Sequence, residues 1–162
     1  MDQLLELLSE NARLSTEELA VMLNAAPEDV ARRIADYEKK GVIRGYRALI
    51  DWDKVDQNYA LALIELKVIP KRDRGFDEIA GRLMEFPEVD SVYLMSGGYD
   101  LAVIVKGRSM QEIALFVARR LSPLESVQST ATHFFLTRYK EGGVVMNAEE
   151  EKEDERRSVF CD

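Results

Sequence analysis

The apolar residues of this chain change their spacing near residue 59, and that change divides what it can fold into. Before it they recur at the three- and four-residue intervals of a helix. After it they alternate, then return to helical spacing twice between alternating runs, so a helical front precedes a mixed rear. With 162 residues shared between two such halves, each must bury a small core or borrow burial from another subunit. Oligomerisation is therefore expected.

In the front half, Met1 to about Asn11 places Leu4, Leu5, Leu7 and Leu8 on a short amphipathic helix. Ser15 with Glu18 forms a capping-box pattern opening a second helix, whose buried stripe is Leu19, Ala20 and Leu23. Asn24-Ala25-Ala26 has the length of a helix-turn-helix turn. Pro27 suits the first position of a third helix, Val30, Ile34 and Tyr37 repeat along it to Lys40, and Gly41 is placed to end it. The β-branched and aromatic run Val42 to Ile50 around Gly45 predicts a wing hairpin, which completes a winged helix-turn-helix over residues 1–50. Polar residues 51–58 predict a hinge.

In the rear half, Tyr59 to Pro70 alternates as a strand; Phe76, Ile79, Ala80, Leu83 and Met84 predict a helix stopped by Pro87. Val89 to Ser96 and Asp100 to Lys106 predict two strands joined by Gly97-Gly98-Tyr99, a turn whose glycines permit positive φ. Ser109 with Glu112 repeats the capping-box pattern before Ile113, Phe116, Val117 and Leu121, and Val127 to Tyr139 predicts a last strand. The order βαββαβ over residues 59–140 predicts a ferredoxin-like domain, and the fold class α+β. Residues 141–162 lose periodicity and hold the run Glu149 to Glu155, which predicts a disordered acidic tail.

The formal charge of -8 runs against nucleic-acid binding, so its distribution matters. Residues 1–55 hold 8 basic against 11 acidic side chains (-3), residues 56–140 hold 11 against 11, and residues 141–162 hold 3 against 8 (-5), so most of the excess is in the tail. No run approaches the length of a membrane span, and MDQLLELLSEN carries acidic residues where a signal peptide needs basic ones, so a cytoplasmic protein without membrane contact is expected. The single cysteine, Cys161, reads as a spectator thiol. No nucleophile stands beside a base, and there is neither a metal-ligand cluster nor a phosphate loop, so no catalytic residue, metal or cofactor is assigned.

The segments Glu10-Asn11-Ala12-Arg13, Ser15 with Glu18-Leu19-Ala20, Arg32-Arg33-Ile34, Lys40-Gly41-Val42-Ile43-Arg44-Gly45-Tyr46 and Gly98-Tyr99-Asp100 resemble, in order and spacing, the Lrp/AsnC family of leucine-responsive or feast/famine regulators. The resemblance runs from about Leu4 to Lys140. It implies a front domain that binds double-stranded DNA, a rear domain that pairs through its sheet into homodimers and then higher oligomers, and an effector pocket near the hairpin turn between subunits.

On that resemblance the third helix reads the major groove, with Arg32 and Arg33 meeting phosphates or bases and Arg44 and Arg47 holding the backbone. Glu28 and Asp29 depart from the family, which places serine and threonine at the start of this helix. They suit the positive helix end but repel phosphate, and can accept from a cytosine amino group. For the effector, the amides around Gly97, Gly98 and Tyr99 suit a carboxylate, and Asp100 either meets an ammonium group or orients the turn; together they suit an amino acid. A turn whose glycines serve only conformation is the alternative. Gln128 and Thr132 on the last strand are added to the pocket, whereas His133 among Phe134 and Phe135 reads as a satisfied sheet residue. The competing function is a metabolite-sensing oligomer whose head has degenerated and acts through protein contacts.

Overall fold

A computed structural model describes residues 2–55, 58–70 and 75–146. It divides into two compact units, Met1–Leu49 and Ile50–Asp162.

The front unit contains α1 (Gln3–Glu10), α2 (Thr16–Leu23) and α3 (Pro27–Lys39). Asp2 caps α1 by accepting from the Leu4 N–H at 2.9 Å. The expected capping box closes at α2: the Glu18 N–H donates to Ser15 Oγ and the Ser15 N–H to Glu18 Oε2. Asn24, in the left-handed region at φ 49°, reverses the chain between α2 and α3. Leu4, Leu19, Ala20 and Val30 form the buried centre, with Leu7, Leu8, Leu14, Leu23, Ile34 and Tyr37 packed around it.

Helix α3 stops because Gly41 takes φ +67°, so that the Gly41 N–H reaches the Glu38 carbonyl and the Val42 N–H the Tyr37 carbonyl. The wing expected over Val42–Ile50 is not formed: no residue there joins a strand ladder. Its start is folded back on α3 instead, the Ile43 N–H donating to the Tyr37 carbonyl and the Tyr46 hydroxyl to Glu38 Oε1 at 2.9 Å. An isolated two-stranded hairpin is marginal in water, and the helix end offers better partners.

The rear unit runs β1 (Ala60–Val68), α4 (Asp77–Met84), β2 (Val89–Leu94), β3 (Leu101–Gly107), α5 (Met110–Phe116) with a wider π-type turn Val117–Leu121, and β4 (Val127–Phe134). The sheet order β2-β3-β1-β4, antiparallel throughout, is the ferredoxin-like arrangement. Ala62, Ile64, Leu66 and Val68 of β1 point to one face and share a buried cluster with Ile79 and Leu83 of α4 and Ile113 and Phe116 of α5. The opposite face carries Leu61, Leu63, Ile104 and Tyr93, all partly or largely exposed.

The second capping box is only half made. Ser109 Oγ accepts from the Glu112 N–H, but the Glu112 carboxylate takes the Arg108 N–H and guanidinium, which hold it below the ordinary glutamate range. Strand β4 ends earlier than expected because its ladder partner β1 ends: Phe134 pairs with Ala62 and the Phe135 N–H closes on the Leu61 carbonyl.

Beyond it, β5 (Lys140–Glu141) and β6 (Val144–Val145) form a hairpin over Gly142 and Gly143, at φ 53° and 86°, and Met146 is buried. Residues 141–146 are thus ordered, contrary to the expected disordered tail. The remainder of that tail, with Cys161, lies outside the described residues. Residues 51–55 of the expected hinge belong to the rear unit, where Trp52–Lys54 make a 3-10 turn and Trp52 stacks on Tyr59 with ring centroids 5.7 Å apart.

Candidate nucleic-acid interface and effector site

Each residue of an α-helix advances about 100° around the axis, so burial of Val30, Ile34 and Tyr37 fixes the outward side of α3. Glu28, Arg32, Ala35 and Lys39 follow one another along it at intervals of four, three and four. Arg32 projects with 74% of its side chain exposed, in an ion pair with Asp29 one turn back. Such an exposed pair contributes little and exchanges readily for another anion. Glu28 stands on the outward side; Asp29, lower on its flank, is already engaged by Arg32. Lys39 was missed because it lies outside any Arg-Arg doublet, yet counting seven residues on from Arg32 finds it.

Arg33 is held elsewhere. Its Nη2 lies 3.0 Å from both Asp2 oxygens, and the Tyr37 hydroxyl donates to the same carboxylate. This cluster ties α3 to the cap of α1. It holds the Asp2 carboxyl below its ordinary value, chiefly through the Tyr37 hydrogen bond, and raises Arg33, chiefly through Asp2. Arg44 folds toward the helix end, its Cζ 3.3 Å from where a Cβ on Gly41 would stand. Arg47 is exposed in the segment after α3, and Lys40 pairs with Asp36 at 2.6 Å. Tyr46 stays protonated well into alkaline conditions, because burial and then the hydrogen bond to Glu38 raise its pKa.

At the other candidate site, Asp100 organises the turn between β2 and β3. The Met95 N–H donates to the Asp100 carbonyl at 2.8 Å, the Asp100 N–H to the Leu66 carbonyl at 2.9 Å, and the Val68 N–H to Asp100 Oδ2 at 2.8 Å. The carboxylate thereby fastens the turn to the end of β1. Gly97 and Gly98 differ from expectation: neither has positive φ, and a Cβ on either would meet nothing within 4 Å. Hydrogen bonds through Asp100, rather than glycine backbone freedom, shape this turn.

Gln128 sits where the β1–β4 register shifts beside Lys67 and Val68, so it shares the sheet end with the turn. Thr132 pairs with Ile64, roughly 14 Å further along the strand at ~3.4 Å per residue, on the face covered by the helices. The structure thus brings Gly97, Gly98, Tyr99, Asp100 and Gln128 to one end and leaves Thr132 apart. His133 Nε2 lies 3.3 Å from Glu65 Oε1 on the uncovered face. A cavity of about 220 Å³ between α5 and the far end of β3, lined by Glu88, Lys106, Phe116 and Arg120 among others, touches none of these residues.

Among the described residues no cluster of three His, Cys, Asp or Glu side chains could hold a metal, and no helix is long and apolar enough to cross a membrane.

Comparison with known proteins agrees with this layout. A family model for the AsnC-type helix-turn-helix domain matches residues 2–38, and one for the Lrp/AsnC ligand binding domain matches residues 61–145. The chain is 48% identical over 158 residues to the HTH-type transcriptional regulator YugG of Bacillus subtilis, covering 97% of this chain and 93% of the relative. It is 28% identical over 131 residues, 81% of this chain and 84% of the relative, to the proline dehydrogenase transcriptional activator of Rhodobacter capsulatus. Its fold is similar to that of a Neisseria meningitidis transcriptional regulator solved with L-methionine (TM-score 0.72, 25% identity, 91% of this chain and 98% of that one). The chain belongs to the Lrp/AsnC family of transcriptional regulators.

Proposed function

We propose that this regulator binds duplex DNA in the major groove through the outward side of α3, and that an amino acid bound at the Gly97–Asp100 end of an oligomeric rear domain changes that binding. The observation that carries the DNA role is the placement of Arg32 and Lys39 on one exposed stripe of the second helix of a helix-turn-helix, where they can meet phosphates or base edges. Arg44 and Arg47, just past the helix, extend the cationic surface toward the DNA backbone. Arg33 supports this surface from behind by fixing α3 against α1. Glu28 and Asp29 repel phosphate and weaken the contact, Asp29 remaining paired with Arg32, while Glu28 on the outward side can accept from a cytosine amino group.

The effector assignment is supported by the open space around Gly97 and Gly98, where a Cβ would meet nothing within 4 Å, and by the methionine complex of the Neisseria relative. Tyr99, Asp100 and Gln128 complete the residues at that end, with Asp100 acting first as the brace of the turn; Thr132, on the helix-covered face, stands outside it. The half-exposed apolar face of Leu61, Leu63 and Ile104 supports pairing of two sheets into a homodimer. Such a protein works in the cytoplasm, beside the DNA, and carries out no catalysis of its own.

A gel shift on the duplex upstream of its own gene tests the reading: Arg32→Ala with Lys39→Ala abolishes the shifted band while the oligomer persists. An unchanged band removes α3 from the interface. The exposed Glu28 at the tip of α3 favours the second reading, a head that contacts protein instead, and that head shifts no duplex even at low salt.

A further inference from the structure

The guanidinium of Arg138 is well enclosed, with 11% of its side chain exposed. It faces three carboxylates: Glu141 Oε2 at 3.1 Å, Asp53 Oδ2 at 3.3 Å and Asp51 Oδ1 at 3.7 Å. Its Cζ also lies 5.8 Å from the centre of the Tyr59 ring, on which Trp52 stacks. Asp51, Trp52 and Asp53 are among the first residues of the rear unit, directly after the boundary at Leu49, so this one side chain grips the segment that leads out of the head.

Arg138 also sits four residues beyond the end of β4, and β4 begins at the sheet end that carries Gln128 and the Gly97–Asp100 turn. Among the described residues β4 is an edge strand, laddered to β1 alone, and its register already breaks beside Gln128. An edge strand held by one ladder slides or tilts more easily than a central one. Movement imposed on it at the effector end is carried along β4 and through residues 135–137 to Arg138.

We propose that Arg138 is a positioning residue that passes the state of the effector end of β4 to the linker carrying the head. The proposal rests on the DNA-binding and amino-acid reading above. Arginine suits the task because its planar fork holds carboxylates from the linker and from β5 at the same time, which a lysine point charge cannot. When β4 moves, the fork moves with Glu141 and draws or releases Asp51 and Asp53. Without the fork, three carboxylates are left facing one another and the linker detaches.

The test uses the full chain and the duplex upstream of its own gene, with affinity measured by fluorescence anisotropy with and without an equimolar mixture of the twenty amino acids. Hydrogen exchange is followed at residues 51–55. For the unmutated protein the mixture changes the affinity on the order of 5- to 150-fold. Arg138→Gln, and Asp53→Asn as a surface variant that leaves the fold undisturbed, bring this ratio toward one and speed exchange at 51–55, while the mixture still raises the melting temperature. Arg138→Lys recovers part of the ratio. Variants that keep the full ratio, or leave exchange at 51–55 unchanged, overturn the latch alone. An unmutated protein with no ratio to lose overturns the functional reading beneath it, and the latch's signalling role with it.

Discussion

Arg32 and Arg33 are adjacent in the chain, yet one step around the helix turns the first to solvent and the second to Asp2. Their substitutions separate accordingly. Arg32→Ala lowers duplex affinity and leaves the melting curve of the head in place, whereas Arg33→Ala lowers the melting temperature by removing both bonds to Asp2; equal effects on melting contradict the division. Asp2 adds a pH dependence. Because its folded pKa is depressed below the ordinary 3.8, chiefly by Tyr37, its contribution is present above that value and is lost as pH falls through the folded one. Tyr37→Phe therefore moves acid unfolding of the head, followed by circular dichroism, to higher pH; an unmoved midpoint refutes the assignment. At the turn, Gly98→Ala meets open space and an ordinary φ, so it leaves stability unchanged and weakens the calorimetric response to amino acids. A loss of stability instead would mean that the glycine serves conformation after all.

At the level of elements, the end of α3 is the most sharply defined feature. Gly41→Ala forces a Cβ into the left-handed region at a cost of ~1–2 kcal/mol and presses it against the Arg44 guanidinium, lowering the head's thermal stability. Unchanged melting would contradict that account of the helix stop. Local signals of this kind are what the amino-acid sequence makes legible: the Ser15–Glu18 box, the Gly41 stop and the alternation of β1 depend on neighbours within a few residues. What it hides depends on partners far away or missing. Asp2 meets Arg33 and Tyr37 across 31 and 35 residues, and nothing near Asp2 announces this. Ser109 and Glu112 have the spacing of a box, but Arg108 competes for the carboxylate. The run from Val42 to Ile50 has strand-forming residues without a strand to pair with, and β4 stops where β1 leaves it. Of the site residues, the outward position of Arg32 follows from periodicity alone. The bulge at Gln128 breaks the alternation that grouped it with Thr132.

For the whole molecule, the two small cores and the half-exposed apolar sheet face support the proposed pairing of protomers. Leu63→Arg, placed on that face opposite Ile104 and His133, disturbs little within a protomer and is expected to yield a monomer of unchanged circular dichroism by light scattering. A mass identical to that of the unmutated protein contradicts sheet pairing. The net charge of -8 does not prevent DNA binding if local cations on α3 act in several heads at once, since linked weak heads gain avidity of ~10² to 10⁴. The direct test is the affinity of the full protein for the duplex upstream of its own gene across a salt series. We expect the logarithm of affinity to fall linearly with the logarithm of salt, by about 0.9 per phosphate contact, and removal of Arg32 or Lys39 to shallow that slope by about one each. Absence of duplex binding at the lowest salt, or an affinity indifferent to salt, would contradict the account.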